Sequence, residues 1–324
     1  MRSPISIIIA IILLAGCSGE QSAFSGYSTN ASRIVHLTWV LFIGGGFLLL
    51  LVVVLTGIAL LGGGRFKQAL SREGVVVWLG MVMSIAVLTG LLLYGFVLLR
   101  IEAMPMDTEG AALRVHIEGE QWWWRVIYQH PDGTTTESAN ELRFPVGQPV
   151  ELTLTTADVI HSFWLPAYGG KVDMIPGRSN SLRFFPTQTG VTRGQCAEYC
   201  GGAHALMAFY AVAMEPEEFQ QWLEREKQDT RANDPAGEQT FLANGCGGCH
   251  AVRGTPATGV IGPDLTHVSS RLSIGAGILA ADQAGFRQWL ARHQQIKPQN
   301  LMPPYEILNE DELALLAAYL VALE

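Results

Sequence analysis

Residues 195–207 read Q-C-A-E-Y-C-G-G-A-H-A-L-M, and the side chains in this stretch decide what scaffold must hold it. Cys196, Cys200, His204 and Met207 offer two thiolates, an imidazole and a thioether. Copper suits that mixture, whereas zinc seldom takes a methionine. Two thiolates so close in sequence can bridge a pair of copper ions and spread one unpaired electron over both. The surrounding chain, residues 113–215, consists of short β-rich runs broken by glycine and proline. Examples are E-L-R-F-P-V-G-Q-P-V-E-L-T-L-T-T over 141–156, S-N-S-L-R-F-F-P-T-Q-T-G over 179–190 and A-F-Y-A-V-A-M over 208–214. Alternating apolar residues between turn signals predict an antiparallel sandwich or barrel, with the 195–207 loop joining two late strands. One further ligand should come from elsewhere, and His161 in D-V-I-H-S-F-W-L-P (158–166) is the candidate.

A second ligand set follows at 246–250, C-G-G-C-H, the attachment pattern of a c-type haem. Cys246 and Cys249 are expected to form thioethers, with His250 beneath the iron. A thioredoxin-like redox pair would need a βαβ pattern, and a glycine-rich loop and helix surround the motif instead. Beyond Glu238 the other ligand candidates are Met302, in N-L-M-P-P-Y (300–305), His267 and His293. Met302, held before two prolines, is the expected sixth ligand, and Met/His ligation raises a haem potential. A final helix over 310–323 presents Leu313, Leu316, Leu320 and Val321, with Tyr319 among them, as a face able to close over the haem. Two structural disulfides are the other use for these four cysteines in an oxidising compartment. That use leaves the fixed steps to His204, Met207 and His250 without a reason.

The chain starts with a short apolar run, 5–14, too short to span a bilayer. It ends in L-A-G-C (14–17), similar to a bacterial lipobox, so residues 1–16 are expected to be a signal peptide and Cys17 a lipidated N-terminus. A polar linker over 17–36 precedes two uncharged stretches of 25 residues, 37–61 and 75–99. At about 1.5 Å per residue each can cross roughly 30 Å of hydrocarbon. Trp39, Trp78 and Tyr94 lie near their ends, as interfacial rings do. The loop between them carries Arg65, Lys67 and Arg72 against Glu73 and should stay cytoplasmic. Both termini and the soluble domains are then expected on the periplasmic or extracellular side of a bacterial plasma membrane.

Taken with this hairpin, G-E-Q-W-W-W (119–124), D-V-I-H-S-F (158–163), K-V-D-M-I-P-G-R (171–178) and the copper loop resemble subunit II of the haem–copper cytochrome c oxidases. The last part of the chain resembles a class I cytochrome c, with G-P-D-L (262–265) matching the loop that supports the proximal histidine. The implied architecture is multidomain: a two-helix transmembrane hairpin, an all-β cupredoxin sandwich over 113–215, a helical and polar linker over 216–237, and a small all-α cytochrome c domain over 238–324. The resemblance implies dinuclear copper (CuA) bridged by Cys196 and Cys200. His161 and His204 would each bind one ion, with Met207 and the backbone carbonyl of Glu198 completing the pair. It points the Glu198 carboxylate toward a magnesium shared with a partner, gives Trp122 the role of electron entry, and places Arg178 at a docking face. Glu120 and Trp123 stand where the family usually has His and Tyr. Glu73 is the one acid available for a proton-uptake position at the second span.

The expected function is electron input to a membrane terminal oxidase, from a donor through covalent haem c to CuA and on to a haem–copper catalytic subunit that reduces oxygen and pumps protons. Expected partners are oxidase subunits I and III, a cytochrome c or cytochrome bc-type donor, and the bilayer. An equivalent subunit of a nitric oxide reductase, or a membrane-tethered copper chaperone, are the alternatives. A quinol-oxidase subunit would lack the copper ligands. A net charge of −8 over 324 residues speaks against nucleic acid as partner.

Overall fold

The computed structural model describes residues 19–103 and 112–324, so Cys17 and the apolar run before it lie outside the described residues. The chain divides into two compact units, residues 32–107 and the remainder. The first holds helix α1 (Thr29–Leu61), a short α2 (Gly64–Leu70), and a second long helical stretch. That stretch runs through α3 (Glu73–Val77), a π turn (Trp78–Val82) and α4 (Met83–Ala103). Phe42, Ile43, Phe47 and Leu60 on the first long helix, and Leu88, Leu92, Phe96 and Leu99 on the second, are exposed. Helices apolar on every side with none of that surface buried suit hydrocarbon rather than water. The expected spans fall inside them.

Strands β1 (Leu113–Glu120), β2 (Trp123–Gln129), β3 (Thr135–Ala139), β5 (Val150–Thr156) and β8 (Asn180–Phe184) form one sheet, ordered β3-β2-β1-β5-β8. The other is β4-β10-β9-β6-β7, from β4 (Glu141–Pro145), β6 (His161–Trp164), β7 (Val172–Met174), β9 (Gly190–Cys196) and β10 (Ala208–Met214). The period-two pattern explains the layering: Val115 and Ile117 of β1 point inward while Arg114, His116 and Glu118 stay toward water. At the end nearest the copper loop, Trp124 packs edge-on against Phe163 and Phe209, with centroids 5.6 and 5.5 Å away.

Two segments expected as linkers are built into this sandwich. Residues before α1 strap across it: the Tyr27 amide donates to the Ala167 carbonyl, and the Thr187 amide to the Tyr27 carbonyl. Ser28, fully buried, donates its hydroxyl to the Tyr168 carbonyl at 2.6 Å. After β10, helix α5 (Pro216–Glu226) buries Phe219, Trp222 and Leu223 in the same core, with Trp222 5.2 Å from Tyr128.

The C-terminal part contains α6 (Pro235–Ala243), α7 (Gln283–Ile296) and α8 (Glu310–Ala322) around a second core. Phe241 of α6 meets Tyr319 of α8 at 5.5 Å. Asn309 caps α8 reciprocally with Glu312, which satisfies amides that the first helical turn cannot bond itself.

Candidate metal centre and haem pocket

Strands β6 and β9 are antiparallel neighbours with Phe163 opposite Cys196. His161, two residues before Phe163, shares its face, and its Nδ1 lies 3.8 Å from Cys196 Sγ. The β9–β10 loop then folds back on itself, the Cys196 amide donating to the Met207 carbonyl at 2.9 Å. That closure brings Cys200 Sγ to 3.8 Å from Cys196 Sγ, 3.5 Å from His204 Nδ1 and 3.9 Å from Met207 Sδ. The Glu198 carbonyl oxygen is 3.2 Å from Cys196 Sγ. All six predicted copper donors therefore converge. The two sulfurs are far beyond the roughly 2.05 Å of a disulfide, and both cysteines are free. Two thiols, two imidazoles, a thioether and a carbonyl around one small volume fit a pair of copper ions. The Glu198 carboxylate stands outside the cluster, accepting the Tyr199 amide at 3.2 Å. Among the described residues it belongs to no group of three ligating side chains.

Electrostatics at the cluster favour a thiolate. The Cys200 thiol beside Cys196 holds Cys196 far below the ordinary thiol range and is itself pushed up. Burial works against charge on His161, yet Cys196 and Asp158 raise its pKa. Asp158 accepts from His161 Nε2 at 2.8 Å, orienting the ring so that Nδ1 faces the sulfurs. Its other oxygen accepts the Gln121 amide at 2.7 Å. Sequence reading missed Asp158; its position three residues before His161 was the available signal. Trp122, 6% exposed, donates its indole N–H to the Cys200 carbonyl at 3.0 Å. Gly201 has φ +116°, and a Cβ there would lie 2.9 Å from the Trp122 ring, so both backbone and space call for glycine. Arg178 lies exposed in the turn after β7, and Glu73 is exposed at the start of α3.

The C-terminal core encloses a cavity of about 270 Å³ lined by Cys246, Cys249, His250 and Met302. His250 Nδ1 is 2.8 Å from the Pro263 carbonyl, which leaves Nε2 for a metal, and burial lowers its pKa toward the neutral, ligating form. Gly262 permits this: a Cβ there would lie 2.5 Å from the imidazole. His267 and His293 are committed elsewhere. His267 meets the Glu324 and Gln228 carbonyls, and His293 those of Trp289 and Met302. Neither lines the cavity, and Met302 does. The remaining wall is mainly apolar, including Phe241, Leu265, Phe286, Leu316 and Leu320. Arg271 also lines it, and its buried Nε has no partner. An unpaired guanidinium nitrogen in an apolar cavity bearing two thiols and an imidazole fits a haem with its acidic side groups. Nothing in the sequence singled out Arg271.

Comparison with known proteins gives two family matches: cytochrome c oxidase subunit II, periplasmic domain, over residues 113–214, and cytochrome c over residues 235–324. The first implies a CuA copper centre and the second a haem c. Cytochrome c oxidase subunit 2 of Alkalihalophilus pseudofirmus is 38% identical over 216 residues, 65% of this chain and 61% of that protein. The Bacillus subtilis protein of the same name is 34% identical over 244 residues, 69% of this chain and 67% of that one. Among solved structures, the periplasmic domain of subunit II of cytochrome oxidase from Bradyrhizobium japonicum is 37% identical. It covers 37% of this chain and 96% of that domain, with a TM-score of 0.34.

Proposed function

We propose a function from one premise: this chain belongs to the cytochrome c oxidase subunit 2 family. Its role is electron input to a membrane terminal oxidase, from a cytochrome c or cytochrome bc-type donor to a separate catalytic subunit. Oxygen reduction and proton pumping are assigned to that subunit. The observation that carries this reading is the convergence of His161, Cys196 and Cys200 within 4.8 Å of one another in a chain that also holds the C-G-G-C-H cavity.

Cys196 and Cys200 would bridge two copper ions, with His161, His204, Met207 and the Glu198 carbonyl as terminal ligands. Cys246 and Cys249 would anchor the haem covalently between His250 and Met302. When bound, both groups supply reversible one-electron chemistry. The chain's own residues prepare for it. Asp158 fixes the His161 ring, Pro263 fixes His250, and the apolar cavity wall excludes water. Trp122, hydrogen-bonded to the Cys200 carbonyl and lining the cavity, offers a hydrogen-bonded route between the two sites. The apolar α1 and α3–α4 stretches anchor the subunit in a plasma membrane. The soluble domains and a lipidated Cys17 stand outside the cytoplasm.

The test is purification from native membranes with metal analysis, electron paramagnetic resonance and oxygen uptake. Two coppers sharing one electron over two spin-3/2 nuclei should give seven hyperfine lines. Cys200→Ser should abolish that spectrum and leave covalent haem unchanged. One labile copper per chain, or a surviving seven-line signal in the variant, would overturn the reading. Reduction of nitric oxide in place of oxygen would move the subunit to a different complex.

A further inference from the structure

Lys297, directly after α7, is 3% exposed, an unusual state for a lysine. Its ammonium reaches out of the cytochrome domain to the Trp122 carbonyl, 2.5 Å away, and also donates to the Gly275 carbonyl at 3.1 Å. Among the described residues no carboxylate lies within ion-pair distance of it. Burial draws its pKa down to about 7. Such a residue costs folding free energy unless its hydrogen bonds recover it. The first of these bonds crosses the junction between domains.

The sandwich makes the reciprocal contact. Arg125 of β2 is fully engaged: Nε bonds Glu120 at 2.7 Å, Nη1 bonds Glu137 at 2.6 Å, and the guanidinium lies 4.7 Å over the Trp123 ring. Held in that way, Nη2 donates to the Val260 carbonyl at 3.1 Å, with the Ile261 carbonyl at 3.5 Å. Those residues lead directly into Gly262–Pro263, the support of His250, while Lys297 precedes the Met302 loop. The two cations therefore bridge the domains in opposite directions, one beside the support of His250 and one beside the Met302 loop. Between them the Glu120–Trp123 segment forms part of the cavity wall.

We propose that Lys297 and Arg125 are positioning residues that lock the cytochrome domain onto the sandwich, making the Trp122 face an internal wall rather than a docking surface. The haem domain then stays docked between turnovers, and a soluble electron donor must engage the cytochrome domain itself. This rests on the electron-input reading above and adds a fixed geometry and a covered entry face.

The experiment compares the full chain in its native complex with a Lys297→Met/Arg125→Gln variant. Hydrogen–deuterium exchange reads the clamp without electron flow, and flash-initiated haem-to-copper transfer reads its consequence. Exchange at residues 120–124 and 274–278 should rise at least tenfold and transfer should slow at least tenfold. The haem absorption bands and copper resonance should remain as in the parent. Exchange within twofold of the parent overturns the proposal, whatever the rate does. So does raised exchange with an unchanged rate, because freely moving domains would then serve equally well. Should the double variant lose its haem or copper signature, the two single variants carry the same readings. Failure of the underlying electron-input reading would appear instead as missing copper or haem signals in the parent chain.

Discussion

Asp158 shows how much of the copper site is decided by a residue that is not a ligand. One carboxylate oxygen holds His161 and the other holds the amide preceding Trp122, so a single side chain ties the start of β6 to the turn that carries Trp122. Carboxylates behind ligating imidazoles are worth about 10–100-fold in metal affinity. Asp158→Ala should therefore weaken copper binding by about that factor in a chelator competition, with covalent haem unaffected. Asp158→Asn, which keeps an acceptor for the ring N–H, should recover most of the loss. Equal affinity in the alanine variant would show that strand packing alone orients His161. The ligand types themselves were legible, because sulfur and imidazole carry their chemistry wherever they stand. Asp158, Arg271 and Arg125 were not, because an acid or an arginine in sequence reads first as a solvated charge. Only burial reveals a different use.

At the level of elements, the β texture of 113–215 and the apolar stretches announced themselves through periodicity. The segment after β10 was expected to be a helical linker, because its charges drew attention away from Phe219, Trp222 and Leu223. Those three share one face of a helix at the i, i+3, i+4 spacing of a buried stripe. Observed, α5 is a wall of the sandwich rather than a tether. Trp222 meets Tyr128 edge-on and sits under the Arg143 guanidinium at 5.3 Å. Arg143 in turn donates to the Ser270 carbonyl of the cytochrome domain at 3.0 Å. Truncating a buried tryptophan typically costs about 3–5 kcal/mol. Trp222→Ala should lower stability by that order in calorimetry, and it should also loosen the Arg143 contact. A change within about 0.5 kcal/mol, the ordinary range for surface substitutions, would mean that α5 lies on the sandwich without supporting it. The domain junction was equally hidden in sequence for a physical reason: its key bonds end on backbone carbonyls, which every residue possesses.

At the scale of the whole molecule, the strap before α1 fixes a topological condition. Residues 19–31 hydrogen-bond to the sandwich through Tyr27, Ser28 and Thr29, so they lie on the sandwich's side of any membrane. The chain between the strap and β1 must then cross an even number of times. The two apolar helical stretches supply that number. The basic loop between them, with Arg65, Lys67 and Arg72, independently favours the cytoplasmic side. Polar, small residues without periodicity concealed the strap in the sequence, where loop charge alone had led to the expectation that both ends share one side. The decisive measurement uses single cysteines in intact cells and a membrane-impermeant thiol reagent. Ala23→Cys, exposed on the strap, should label from outside, whereas Gln68→Cys, exposed on α2 between the two long apolar stretches, should label only after the membrane is opened. The unsubstituted chain supplies the background from its native thiols. Labelling of position 68 in intact cells, or protection of position 23, would reverse the orientation and place the copper and haem domains in the cytoplasm.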